Sequence, residues 1–136
     1  MAAVVIDASL ASAWCFPDEQ TDYTKAVLTS ILTSAVDAVA PALWAYEVRN
    51  SLLMGIRRRR ITASHADQFL KSLSDLRVQL VEPSYDDIFV QAQQSGLTIY
   101  DAAYLNVALR ERVPLATLDK ELQKAIVSAG GQLHTL

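Results

Sequence analysis

Short apolar runs alternate with longer helical patterns along this chain, and that alternation limits the fold more than any other feature. Ala3-Val4-Val5-Ile6 is β-branched and stops at Asp7; a run with no polar face suits a strand covered on both sides. Ala38-Val39-Ala40 before Pro41, Val78 to Val81 and Pro114 to Thr117 read as further strands, and Gln132 to Thr135 after Gly130-Gly131 as a last one. Helices are predicted from about Leu10 to Trp14, from a Thr21 or Asp22 cap to about Ser34, and from Leu43 to about Arg60. Trp44, Val48, Leu52 and Ile56 give the last of these a core stripe. Further helices follow a Thr62 or Ser64 cap, run from Pro83-Ser84 to a Gly96 C-cap, from about Tyr100 to Arg112, and from Asp119 to Ser128.

Strands separated by helices of this length are joined by crossovers and pair in parallel. The expected architecture is one α/β domain over residues 1–136. Its three layers would hold about four or five short strands in a mostly parallel central sheet, flanked by helices. A chain of 136 residues buries enough surface to need no disulfide or structural zinc, and Cys15 stands alone. One cysteine fits a reducing, cytoplasmic setting. The 12 basic and 15 acidic residues leave a net charge of −3, which excludes a uniformly basic nucleic-acid coat but not a local patch. No positive leader precedes Asp7, and Asp37 and Pro41 interrupt the most apolar stretch, so neither a secretory leader nor a membrane span is expected.

Acids fall where such a fold gathers ligands. Asp7 ends the first strand, Asp119 follows another, Asp101 lies in the first turn of a helix, and Glu47 sits one turn into the long helix. The carboxyl ends of parallel strands form one edge, and ligands bind in the crevice there. Helix capping accounts for any one of these aspartates by itself. Their company argues for more. Glu47 and Asn50 share the flank of a core stripe, Asp101 has no Lys or Arg close by in sequence, and Thr117 and Asp119 can address one point across a turn. Carboxylates gathered without a basic partner repel, and a divalent cation relieves them. An all-oxygen donor set prefers Mg²⁺, or Mn²⁺, over zinc.

Ile6-Asp7-Ala8-Ser9, Glu47-Val48-Arg49-Asn50, Tyr100-Asp101-Ala102-Ala103-Tyr104 and Ala116-Thr117-Leu118-Asp119, in this order, resemble the PIN-domain family, and more narrowly the toxin ribonucleases of VapBC-type toxin–antitoxin pairs. The likeness covers essentially the whole chain; Ala8 departs from it, where many relatives carry Thr or Ser. It implies a metal-dependent endoribonuclease with Asp7, Glu47, Asp101 and Asp119 as catalytic and metal-binding acids, supported by Ser9, Asn50 and Thr117. Asp7, Asp101 and Asp119 would hold Mg²⁺, and Glu47 would complete a second site or orient the attacking water. The likeness further implies an RNA substrate, 5′-phosphate and 3′-hydroxyl products, a cognate antitoxin and a homodimer.

The run Arg57-Arg58-Arg59-Arg60 reads either as a solvated helix end or as a contact for RNA phosphates or an acidic antitoxin segment. Tyr46 and Tyr100, each beside an acid, are candidates for lining an RNA groove; Trp14 and Trp44 fit the core better. His65 and His134 have no partner at ligand spacing, and Cys15 reads as a small core residue. Two other uses of strand-end acids fit poorly. A haloacid-dehalogenase-type phosphatase needs an acid at position 9, which is Ser, and a phospho-receiver domain needs an acidic pair and a Lys that are missing. A third alternative keeps the fold but reduces the protein to an antitoxin-binding co-repressor with little catalysis.

Overall fold

The computed structural model describes residues 2–135. Four strands, β1 (Ala3–Ile6), β2 (Asp37–Pro41), β3 (Gln79–Val81) and β4 (Leu115–Ala116), form one sheet in the order β3-β2-β1-β4. Every pairing is parallel, with Val4 opposite Ala38, Val5 opposite Leu115 and Ala40 opposite Leu80. Val4, Val5 and Ile6 are all fully buried, although successive side chains in a strand point to opposite faces. Helices therefore cover both sides of β1, which is why this run carries no polar residue.

Seven α-helices supply that cover: α1 (Ala8–Ala13), α2 (Asp22–Leu32), α3 (Leu43–Arg57), α4 (Ala63–Ser74), α5 (Tyr85–Ser95), α6 (Ile99–Glu111) and α7 (Lys120–Ser128), with a 3₁₀ turn at Pro17–Glu19. Their starts follow side-chain caps. Thr21, Thr62, Thr98 and Asp119 each accept a backbone N–H from the first turn of α2, α4, α6 and α7. Gly96, at φ 67°, ends α5 in the left-handed conformation that glycine adopts without strain. The α6 helix is buried from Ala102 through Val107 to Ala108 because it touches β1, β2, β4, α5 and α7, so it lacks a solvent face along that stretch. Gly55 lets α3 approach Phe16: a Cβ there would stand 2.5 Å from the ring.

Three expected elements change. The first helix begins at Ala8 rather than Leu10, because Asp7 is its N-cap. The expected last strand, Gln132 to Thr135, reduces to a single parallel bridge between Leu133 and Leu115. β4 is two residues long, too short to template a full neighbour. The long helix also stops at Arg57, with Arg59 left-handed at φ 59°, so the last arginines of the basic run leave the helix.

Candidate functional site

Asp7 leaves the carboxyl end of β1 and turns the chain into α1. Its Oδ1 accepts from Leu10 N at 2.9 Å and from the Ser9 hydroxyl at 2.8 Å. The buried Thr117 hydroxyl, at the end of β4, donates to Oδ2. Thr117 Oγ1 in turn accepts Asp119 N at 3.0 Å, and Ser9 Oγ accepts Leu118 N at 3.1 Å. Two adjacent strand ends are thereby stitched together beneath Asp7 and Asp119.

The facing wall comes from α3 and α6. Glu47 points toward α6, where the buried Tyr104 hydroxyl donates to its Oε1 at 2.6 Å. Asp101 sits in the first turn of α6, one turn from Tyr104, after Thr98 has capped the helix. A cleft of about 390 Å³ is lined by Asp7, Ser9, Glu47, Asn50, Asp101 and Asp119, with Tyr46, Ser51 and Tyr104 completing its sides. All four acids therefore share one cleft, Ser9 and Asn50 line it, and Thr117 lies beneath it. A smaller hollow elsewhere, bounded by Leu109, Arg112 and Gly131, has none of this chemistry.

Electrostatics single the cleft out. Burial pushes Asp7 up from 3.8 to about 6, against three stabilising hydrogen bonds, and the charge of Asp119 adds to the rise. Burial and then Asp119 raise Asp101; burial and then Asp101 raise Glu47, while the Tyr104 hydrogen bond opposes. Burial and the neighbouring Glu47 drive the Tyr104 hydroxyl far above its ordinary range, so it stays a proton donor in its hydrogen bond. Among the described residues, the ion pairs are those of Arg60, Lys71 and Lys124, and none involves these four acids. Nor does any Lys or Arg line the cleft.

Such a donor set suits a hydrated hard dication: carboxylates, hydroxyls and an amide, all oxygen donors, with uncompensated charge. Among the described residues, no three His, Cys, Asp or Glu side chains already close on a common point as a ready-made cage. An ion that keeps several of its waters does not need one.

The basic run divides. Arg60 bonds Asp18 at 3.0 Å and Glu19 at 2.7 Å and lies 4.2 Å over the Phe16 ring, so this member of the run already meets counter-charges within the chain. Arg57, Arg58 and Arg59 are exposed. Tyr46 and Tyr100 are exposed at 78% and 63%, whereas Trp14 and Trp44 are buried. His65 Nε2 lies 2.9 Å from the Cys15 carbonyl oxygen, a contact between elements rather than a metal site. Nothing in the sequence pairs Tyr104 with Glu47 outright. Its signal is faint but present: it lies three residues after Asp101, on the same helix flank.

Comparison with known proteins agrees with this geometry. The model described as PIN domain matches residues 4–126. Ribonuclease VapC3 of Pyrobaculum aerophilum is 34% identical over 125 residues, covering 88% of this chain and 91% of that protein. Exonuclease VapC9 of the same organism is 38% identical over 78 residues, 57% of this chain and 58% of that one. The crystal structure of PAE2754 from Pyrobaculum aerophilum has the same fold, with a TM-score of 0.71 at 24% identity, over 94% of this chain and 86% of that one.

Proposed function

This chain belongs to the PIN-domain family, and from its cleft we propose that it is a divalent-cation-dependent endoribonuclease, the toxin of a toxin–antitoxin pair. The observation that carries this reading is that four carboxylates share a cleft whose lining holds no Lys or Arg. The names of the two relatives support nuclease chemistry and the toxin assignment.

Asp7, Asp101, Asp119 and Glu47 would hold Mg²⁺ or Mn²⁺, directly or through water. When bound, the cation neutralises phosphate charge and makes water more acidic. Within the chain, Asp7 is held in one orientation at the cleft by Leu10 N–H and the Ser9 and Thr117 hydroxyls, so no rotamer search is left to it. Glu47 is steered by Tyr104 and held above the ordinary carboxylate range, which suits a group that orients a water and accepts its proton. The water oxygen bonds to phosphorus, the bond to the 3′ oxygen breaks, and that oxygen leaves protonated. The products are a 5′-phosphate and a 3′-hydroxyl. Asn50 offers an uncharged amide to the same phosphate, while Ser9 gives its one hydroxyl proton to Asp7.

The test is cleavage of a circular, unpaired RNA in Mg²⁺ or Mn²⁺. An endonuclease opens the circle; an enzyme confined to chain ends leaves it intact. Chelator and Asp101→Asn should each abolish cutting, and cutting that persists in chelator would overturn the metal dependence. The cognate antitoxin should block cleavage when co-purified with the chain.

A further inference from the structure

Asn50 apart, the solvent face of α3 is not used by the acid chemistry. Tyr46, Asn50, Leu53 and Arg57 recur at i, i+4, i+7 and i+11 and so share one side of the helix. Tyr46 is 78% and Leu53 42% exposed, and Asn50 and Arg57 are exposed as well. The stripe starts in the acid cleft, which Tyr46 and Asn50 line, and reaches Arg57 roughly 16 Å further along the axis.

Of the five tyrosines, Tyr23, Tyr85 and Tyr104 donate their hydroxyls to protein acceptors. Among the described residues Tyr46 and Tyr100 have no such partner, and Tyr100 stands beside Asp101 on the α6 side. A ring left mostly in water adds little to folding, so its place beside the acids calls for a ligand with an aromatic face. Arg57 forms no ion pair among the described residues, whereas Arg60 does. The stripe mixes a ring, an amide and a cation, with Leu53 as its one aliphatic member, which suits a polyanion carrying bases better than an apolar protein helix.

Resting on the ribonuclease reading, we propose that this face of α3 is a track for single-stranded RNA. Tyr46 stacks the base beside the scissile phosphate, and Arg57 meets a backbone phosphate further on. Stacking needs a base with its face free, so the track selects unpaired strands and tolerates their sequence.

Two measurements on the full chain test this. Cleavage kinetics on an unpaired oligonucleotide should show Tyr46→Ala raising KM by about 5- to 100-fold, with Tyr46→Phe restoring it. Arg57→Ala should flatten the log–log salt dependence of binding by about one unit. An oligonucleotide carrying 2-aminopurine should lose fluorescence on binding, and lose less with Tyr46→Ala. If the native chain cleaves RNA while Tyr46→Ala keeps KM within about twofold, the track is wrong and the nuclease stands. If the native chain quenches the probe but cuts no RNA, the track stands and the nuclease reading falls; if it does neither, both fall. Tyr46→Ala that loses self-association in sedimentation, with RNA binding intact, would assign the stripe to a second copy and overturn the track.

Discussion

Two clusters of acids in this molecule are built in opposite ways. Asp18 and Glu19 stand on the surface and share Arg60, whose guanidinium is held at 3.0 and 2.7 Å and rests on Phe16. Asp7, Glu47, Asp101 and Asp119 are buried or half-buried and meet hydroxyls, backbone N–H groups and each other, but no cation. The first cluster supplies its counter-charge from within the chain and is finished on folding. The second has no such partner among the described residues, and the divalent cation proposed above would supply it. Carboxylates in a fold are thus to be judged by whether the chain answers them.

The widest separation between the two clusters should be in activity. Asp101→Asn is expected to lower RNA cleavage by a factor on the order of 10³ or more, because it removes charge that only the acid cleft uses. Arg60→Ala should leave the rate essentially unchanged, measured on the same substrate at saturating Mg²⁺. A comparable loss in both variants would erase the contrast. Next in size is Tyr104→Phe. Its hydroxyl lowers the Glu47 pKa, so removing it raises that pKa further, and the acidic limb of the pH–rate profile should move to higher pH. The rate at neutral pH should fall by less than in Asp101→Asn.

Stability separates the clusters more gently. Asp7 binds its proton near pH 6 in the folded chain and near 3.8 when unfolded. Its contribution is therefore most favourable below about pH 4 and is lost as pH rises to about 6. Asp7→Asn keeps an oxygen to cap α1 and removes the buried charge. In metal-free buffer it should stabilise the protein by about 1–3 kcal/mol at pH 8, with no gain below about pH 4, read by denaturant titration. Mg²⁺ should raise the melting temperature of the native chain and act less on Asp7→Asn. The smallest effect is expected from Arg60→Ala: a slight drop in melting temperature that added salt masks, since surface pairs are screened.

What the sequence discloses is uneven, for physical reasons. Local chemistry was legible: a β-branched run marked β1, a short apolar run before Pro41 marked β2, threonine caps marked the starts of α2 and α4, and Gly96 marked the end of α5. The four acids were legible because Asp7 and Asp119 follow strands while Asp101 and Glu47 lie within the first turns of helices, and parallel topology brings such ends together. Long-range pairing was not. Arg60 meets Asp18 and Glu19 across some forty residues, and no local pattern marks that arginine apart from its neighbours. The Leu133 segment reads as a strand locally but finds only two residues of β4 to pair with. Aspartate's preference for helix starts allows Asp7 as a cap, but the apolar pattern that begins at Leu10 hides that the helix starts at once at Ala8.

That double duty bears on how such a protein decays. At Asp7 a single carboxylate both starts a helix and floors the cleft, so most replacements there damage folding and chemistry together. Asp101 and Glu47 carry no helix start, because Thr98 begins α6 and α3 starts without a side-chain cap. Silenced descendants of this chain should therefore shed Asp101 or Glu47 first and keep Asp7, an aspartate that outlives its trade as part of the scaffold.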